Sequence, residues 1–176
     1  MNGMAAKNKG IVLIGMAGVG KSTIGRALSR RMGLGFVDLD TYIIGKEGRR
    51  LQDIIDERGE GALVGIERAR MMEISLDGTV VAPGGSVVYS PGLMRYLKKK
   101  AVLVYLDDSF SNIAGRLSNA QRRGIVGLRS KPLRELYRER KPLYSRYADI
   151  TVNCRGKTKA GIVAEIIQRI SPLIEA

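Results

Sequence analysis

Residues 15–23 read Gly15-Met16-Ala17-Gly18-Val19-Gly20-Lys21-Ser22-Thr23. Four apolar residues, 11–14, precede this stretch, and a segment with apolar residues at helical spacing follows it. A glycine, four residues and then Gly-Lys-Ser, placed between a strand and a helix, form the pattern of a phosphate-binding P-loop. The stretch therefore predicts a nucleoside triphosphate site; the alternative is a glycine-rich turn with a structural role only.

The residue types in this stretch suit phosphate chemistry. The glycines let the backbone turn tightly and direct successive N–H groups inward, and the helix adds unpaired N–H groups and the positive end of its dipole. Lys21 brings a full charge to the outer phosphates, and the Ser22 hydroxyl is an oxygen ligand of the kind that Mg²⁺ prefers. The predicted nucleotide-binding residues here are Gly18, Val19, Gly20, Lys21, Ser22 and Thr23.

The composition is that of a soluble globular protein, with 44% hydrophobic and 27% charged residues. We expect a single domain, 1–176, without a membrane span, because no apolar run approaches the ~18 residues that a span needs. The first ten residues lack the apolar core of a secretion signal. The one cysteine, Cys154, cannot form an internal disulfide, which favours a cytoplasmic location.

The charged residues and the lack of histidine limit which side chains could act in catalysis and which ligands could bind. The chain has no histidine, so carboxylates, lysine, arginine and backbone groups are left to carry any catalysis. The net charge is +13, and much of the excess lies in 116–146 and in Lys98-Lys99-Lys100. A basic protein can bind nucleic acid, but no nucleic-acid signature accompanies the charge. A small polyanionic ligand is the preferred interpretation of the 116–146 cluster, and a solvated helix end that of Lys98-Lys99-Lys100. Nucleic-acid binding is the alternative.

Predicted strands alternate with predicted helices along the chain. The strands are expected at 10–14, 35–37, 79–82, 101–106 and 149–152, and helices at 41–46, 51–57 and 61–75 among others. Pro142 is expected to break or restart the helix that begins near 133. This alternation predicts an α/β fold with a parallel sheet, whose ligands bind at the carboxyl ends of the strands.

Two groups of polar residues outside the P-loop are candidates for the site. Asp38 and Asp40 flank Leu39 at a strand end, and period-two alternation would point both carboxylates to one side. One could hold Mg²⁺ and the other could accept or orient a proton of a substrate hydroxyl; the alternative is a helix cap. Arg122 and Arg123 lie in a glycine-containing loop that could close over phosphates.

The ordered set of motifs resembles the shikimate kinase family, from about residue 10 to residue 170. The motifs are the P-loop, Asp38-Leu39-Asp40, Gly48-Arg49, Gly84-Gly85, Ser90-Pro91-Gly92, Arg123 and Arg140-Lys141-Pro142-Leu143-Tyr144. The resemblance implies a three-layer P-loop NTPase of the nucleoside-monophosphate-kinase type. Its five-stranded parallel sheet has the order 2-3-1-4-5, with a substrate-binding segment at about 39–67 and a lid at about 118–130.

The resemblance also implies roles for individual residues. ATP and Mg²⁺ are the implied cofactors, with Ser22 and Asp38 at the metal and Lys21, Asp40 and Arg123 in catalysis. The implied substrate residues are Asp40, Gly84, Gly85 and Arg140. Arg116 corresponds to an arginine that packs on adenine, and Lys157 lies in the loop along the edge of the base.

The chain departs from the family pattern at the substrate site. Val64 stands where the family has a substrate-binding arginine, so Glu67 lacks its expected partner. Pro83 replaces the first residue of a Gly-Gly-Gly run and removes a backbone donor. Arg68, one turn from Val64, is a candidate substitute. Two aromatic positions of the family hold Ile55 and Leu63.

These observations predict a monomeric, ATP-dependent kinase that acts on a small hydroxylated acid. Shikimate is the leading acceptor, and another small hydroxy acid or polyol is the alternative because of Val64 and Pro83. A nucleotide-binding protein without strong catalysis, or a basic P-loop protein that associates with nucleic acid, is the remaining interpretation.

Overall fold

A five-stranded, all-parallel sheet organises the protein, which is described here by a computed structural model covering residues 9–118 and 124–174. The strand order is β2-β3-β1-β4-β5, as the family resemblance implied. The strands are β1 (Gly10–Ile14), β2 (Gly35–Asp38), β3 (Thr79–Ala82), β4 (Ala101–Asp107) and β5 (Ile150–Asn153).

Helices connect the strands as crossovers. The described helices are α1 (Lys21–Met32), α2 (Leu39–Glu47), α3 (Leu51–Arg58), α4 (Glu60–Glu73), α5 (Pro91–Lys100), α6 (Phe110–Leu117), α7 (Leu133–Tyr147) and α8 (Lys159–Ile174). A short 3-10 helix, Gly85–Tyr89, follows β3 and was not predicted from the sequence.

The two faces of the sheet are buried by different helices. On β4, Leu103 and Tyr105 pack into a cluster with residues of α2 to α7, whereas Val102 and Val104 pack into a second cluster with α1 and α8. Side chains alternate between the faces of a strand, so a sheet covered on both sides needs continuous apolar strands. This gives three layers, with β1 in the centre between β3 and β4.

The segment after β2 differs from the prediction. Asp38 ends the strand and caps α2, because its Oδ1 accepts a hydrogen bond from the backbone N–H of Thr41 at 3.1 Å. Asp40 is the second residue of α2 rather than a strand residue before it. The period-two argument for Asp38 and Asp40 was therefore wrong, since the side chain of Asp40 follows helical geometry.

The prediction that Pro142 breaks the last long helix before β5 was also wrong. Helix α7 runs without interruption from Leu133 to Tyr147 and contains Pro142. A proline inside a helix removes one backbone hydrogen bond. Burial of Arg140 and Tyr144 on either side of the proline holds both halves of the helix against the sheet and offsets that loss.

In the part of the chain that the structure describes, we find no helix long and apolar enough to cross a membrane.

The burial of Leu103 on β4 predicts how a substitution there changes the free energy of unfolding. Leu103 is fully buried in the cluster beneath α5 and α7, so Leu103→Ala should lower the free energy of unfolding by about 2–5 kcal/mol. Urea unfolding followed by circular dichroism measures this change. The matched control is Met72→Ala on α4, where the side chain is 49% exposed and the expected change is within about 0.5 kcal/mol. Equal losses in the two variants would contradict the assigned core.

Candidate active site

A cleft of about 330 Å³ opens where β1, β2 and β3 end. The three strands are parallel neighbours, so the segments that follow their carboxyl ends meet at one edge of the sheet. Its lining comes from the P-loop, the start of α2, helix α4, the turn after β3, and helices α6 and α7.

The P-loop places one buried cation in the cleft. Lys21 is 9% exposed, and its Nζ donates to the backbone carbonyls of Gly15 at 2.8 Å and Met16 at 2.9 Å. Burial lowers the pKa of this ammonium to about 8, although the charge of Asp40 opposes the shift. Gly18 and Gly20 have φ of +81° and +103°, a conformation that residues with a Cβ rarely adopt. The loop therefore presents a desolvated ammonium at the N-terminus of α1, where an anion is stabilised.

Two oxygen ligands lie beside this loop. The hydroxyl of Ser22 donates to Oδ2 of Asp38, while the other carboxylate oxygen of Asp38 caps α2. Among the described residues, no group of three or more His, Cys, Asp or Glu side chains could hold a metal ion. A serine hydroxyl and one carboxylate nevertheless fit Mg²⁺, which commonly uses one or two protein oxygens together with substrate phosphates.

Asp40 has a buried carboxylate oxygen, Oδ1, that lacks a hydrogen-bond partner among the described residues. Burial, reinforced by the charge of Asp38, raises the pKa of Asp40 to about 6, and the nearby Lys21 opposes that rise. An unpaired buried acceptor costs about 1–3 kcal/mol, so a ligand that donates a hydrogen bond to Oδ1 would recover this energy.

A second buried carboxylate lies next to Asp40. Glu67 is 5% exposed and accepts a hydrogen bond from the hydroxyl of Ser86 at 2.5 Å. Burial raises the pKa of Glu67 to about 7, against the opposing effect of that hydrogen bond. Both carboxylates approach Gly84, because a Cβ there would lie 2.5 Å from Oε1 of Glu67 and 3.6 Å from Oδ1 of Asp40. Gly84 is therefore required by close packing.

The other end of the cleft holds a buried guanidinium. Arg140 is 1% exposed, and its hydrogen bonds to described residues go to neutral oxygens, the carbonyl of Val126 and the hydroxyl of Tyr89. A Cβ on Gly85 would lie 3.2 Å from its Nη1. Buried charges in proteins are normally paired. A guanidinium with only neutral partners at the wall of a cleft suits an anionic ligand.

Arg116 lies at the P-loop side of the cleft. Its Nη1 donates to Oδ2 of Asp108 at 2.9 Å and to the carbonyl of Gly18 at 3.3 Å. The carboxylate of Asp108 is fully buried, whereas the side chain of Arg116 is half exposed. Asp108 thus anchors the guanidinium next to the P-loop.

Most of the residues predicted from the sequence lie together. Those that line the cleft are Gly18, Gly20, Lys21, Ser22, Thr23, Asp38, Asp40, Gly84, Gly85, Arg116 and Arg140. Val19 instead packs into the core, and Lys157 forms an ion pair with Glu165 on α8 at 2.5 Å. Arg123 and its neighbour Arg122 lie outside the described residues.

The structure also shows where the residues that depart from the family pattern lie. Val64 packs against the core one turn before Glu67 on α4, and Pro83 lines the cleft. Arg68, the candidate substitute for the arginine missing at 64, is exposed and does not belong to the cleft lining. Among the described residues, Arg116 and Arg140 are the arginines that line the cleft.

Several residues of the site were not found from the sequence. Ser86, Tyr89 and Asp108 are examples, and each supports a predicted charged residue that lies 8 to 51 residues away in the sequence. The one available signal was position, because Asp108 directly follows β4 and Ser86 follows the glycines after β3.

Comparison with known proteins gives a consistent result. A sequence profile described as shikimate kinase matches residues 17–171. The chain is 36% identical to a shikimate kinase of Sulfurihydrogenibium sp. (strain YO3AOP1) over 163 residues, which cover 92% of this chain and 98% of the relative. A shikimate kinase of Paracidovorax citrulli (strain AAC00-1) is 37% identical over 166 residues, 91% of each chain.

A solved structure agrees with the sequence relatives. The shikimate kinase from Acinetobacter baumannii in complex with shikimate superposes with a TM-score of 0.87, with 27% identity and 96% coverage of both chains. The family profile, the sequence relatives and this structure agree over nearly the whole chain. The chain belongs to the shikimate kinase family.

Proposed function

We propose that this protein transfers the γ-phosphoryl group of ATP to a hydroxyl group of shikimate. The observation that carries the proposal is the unpaired, buried Oδ1 of Asp40, which lies between the Lys21 side of the cleft and Gly84. A substrate hydroxyl would satisfy this oxygen, and the anion of a small acid would satisfy Arg140. The agreement of the family profile, the sequence relatives and the solved structure on one family supports the same acceptor.

In the proposed reaction, the P-loop amides and Lys21 bind the phosphates of ATP. Asp40 accepts a hydrogen bond from the acceptor hydroxyl, orients it, and takes its proton as the new oxygen–phosphorus bond forms in line. The bond between the β-phosphate oxygen and the γ-phosphorus breaks, and ADP leaves. Mg²⁺, held by Ser22 and Asp38, would neutralise phosphate charge when bound. Arg123 and the lid at about 118–130 would close over the phosphates, and Arg116 would pack on the adenine.

The acceptor assignment has a direct test. ADP release, measured in a coupled assay with ATP and Mg²⁺, should increase strongly when shikimate is added. Absence of any increase, with ATP still bound, would overturn the proposal. We further infer a cytoplasmic location, since Cys154 is a buried free thiol and the chain has no second cysteine for an internal disulfide.

A related kinase activity on another small hydroxy acid or polyol is the second candidate. Val64 and Pro83 favour it, because Val64 offers no cation to the acceptor and Pro83 has no backbone N–H. An acceptor panel distinguishes the two candidates. The second is wrong if shikimate has the highest kcat/KM.

Asp40→Asn should lower kcat by roughly 10²–10⁴-fold, because the amide cannot take the proton of the acceptor hydroxyl. The Kd for ATP, measured by calorimetry, should change by less than about threefold, since Asp40 serves the acceptor. A comparable loss of ATP affinity would contradict that role.

The raised pKa of Asp40 predicts the pH dependence of activity and of stability. Because only the carboxylate can act as base, kcat/KM for the acceptor should fall as pH drops below about 6.

The folded state prefers protonated Asp40, so this group stabilises the protein at low pH, and its stabilising contribution is lost as pH rises from about 4 through 6. Asp40→Asn should therefore raise Tm relative to the parent at pH 8 and have little effect at pH 4. A higher Tm of equal size at both pH values would rule out this linkage.

Val64→Arg should raise kcat/KM for shikimate by about tenfold or more. An arginine at 64 lies one turn from Glu67 on α4 and would add a second charge-assisted hydrogen bond to the acceptor carboxylate. Steady-state kinetics with shikimate as the varied substrate measure the gain. The matched control is Arg68→Ala, which removes an exposed guanidinium outside the cleft and should leave kcat/KM unchanged. No gain from Val64→Arg would favour the second candidate acceptor.

A further inference from the structure

The orientation of Arg140 depends on very few contacts. Its guanidinium is almost completely buried, and no carboxylate is among its hydrogen-bond partners in the described chain. Nη2 donates to the carbonyl of Val126 at 2.6 Å, and Nε donates to the hydroxyl of Tyr89 at 3.1 Å. These two bonds leave Nη1 on the side of Gly85 and the cleft.

Tyr89 contacts the guanidinium in two ways. Its hydroxyl accepts the hydrogen bond from Nε, and its ring lies 5.0 Å from Cζ of Arg140, within the range of a cation–π contact. Tyr89 is the last residue of the 3-10 helix that begins at Gly85. One rigid turn therefore carries both the glycine at the wall of the cleft and the tyrosine behind the arginine.

A carboxylate on the far side fixes the direction of the tyrosine hydroxyl. The hydroxyl donates to Oε1 of Glu139, and Lys131 pairs with the other oxygen of that carboxylate. A hydroxyl has one proton, so donation to Glu139 leaves its lone pairs for Nε of Arg140. The ion pair with Lys131 keeps Glu139 charged, since the hydrogen bond from Lys131 lowers the pKa of Glu139.

We propose that Tyr89 is a positioning residue, which holds the guanidinium of Arg140 for the anionic group of the acceptor through a relay of Lys131, Glu139 and Tyr89. The inference rests on the proposed function, because it assigns the relay to acceptor binding. Lys21 serves the phosphates and Arg116 pairs with Asp108, so Arg140 is the described cation available to the acceptor. Its alignment should therefore control acceptor affinity more than nucleotide affinity.

Tyr89→Phe tests the proposal, because phenylalanine keeps the ring and loses only the hydroxyl. With shikimate as acceptor, KM should rise roughly 10- to 150-fold, the range expected when a hydrogen bond to a charged group is lost. The KM for ATP and kcat should stay within about twofold. Glu139→Gln, which keeps an oxygen acceptor but removes the charge, should give a smaller rise. The matched control is Tyr96→Phe on α5, whose hydroxyl has no hydrogen bond to a described residue, and it should behave as the parent.

A double-mutant cycle then separates positioning from general structural damage. If Tyr89 acts through Arg140, Tyr89→Phe should change the KM for shikimate by less than twofold when it is combined with Arg140→Lys. An equal effect in both backgrounds would overturn the proposal, as would equal changes in kcat and in the KM for ATP. A parent enzyme without shikimate-dependent ADP release would overturn the proposed function itself. A parent with full activity and an unaffected Tyr89→Phe variant would overturn only the role of Tyr89.

Discussion

The properties of this cleft depend on charged side chains that are buried away from water. Lys21 and Arg140 are buried cations whose hydrogen bonds to described residues reach only neutral oxygens, and Asp40 and Glu67 are buried carboxylates with raised pKa values. Such groups lower the stability of a folded protein unless a ligand compensates them. The phosphates of a nucleotide and the carboxylate and hydroxyl of an acceptor carry the complementary groups. The binding energy is therefore available before the reactants arrive, because the protein has already lost the hydration of its own charges.

Residues 124–127 connect the buried Arg140 to helices α3 and α4. Gly124 packs directly on the start of α3, since a Cβ there would lie 2.5 Å from Cβ of Leu51 and 2.8 Å from the backbone N of Gln52. The N–H of Gly127 donates to Oε1 of Glu60 at the start of α4, at 2.7 Å. Between these points, the carbonyl of Val126 accepts the hydrogen bond from Arg140. The same short stretch thus contacts α3, α4 and Arg140, so the positions of these elements depend on one another.

Much of the fold was predictable because its signals are local. The apolar runs of β1 and β4, the glycine that ends α1, and Ser90-Pro91 before α5 each depend on neighbours within a few residues. The sheet order came from the family resemblance. Two predictions were wrong because another interaction outweighed the local pattern. Asp38 rather than Asp40 caps α2, and packing on both sides of Pro142 keeps α7 continuous.

The sequence alone determined the phosphate-binding loop, the residue types around it and the family, because these depend on a fixed spacing of glycines, one lysine and a few charged residues. Only the tertiary structure decided which side chains are desolvated and what they contact. Glu67 has a partner in Ser86, 19 residues away, and Arg140 is held by Tyr89, 51 residues away, whereas Arg68 does not belong to the cleft lining. Burial and hydrogen bonding between distant segments depend on how the helices pack on the sheet, and no local pattern of residues encodes that packing.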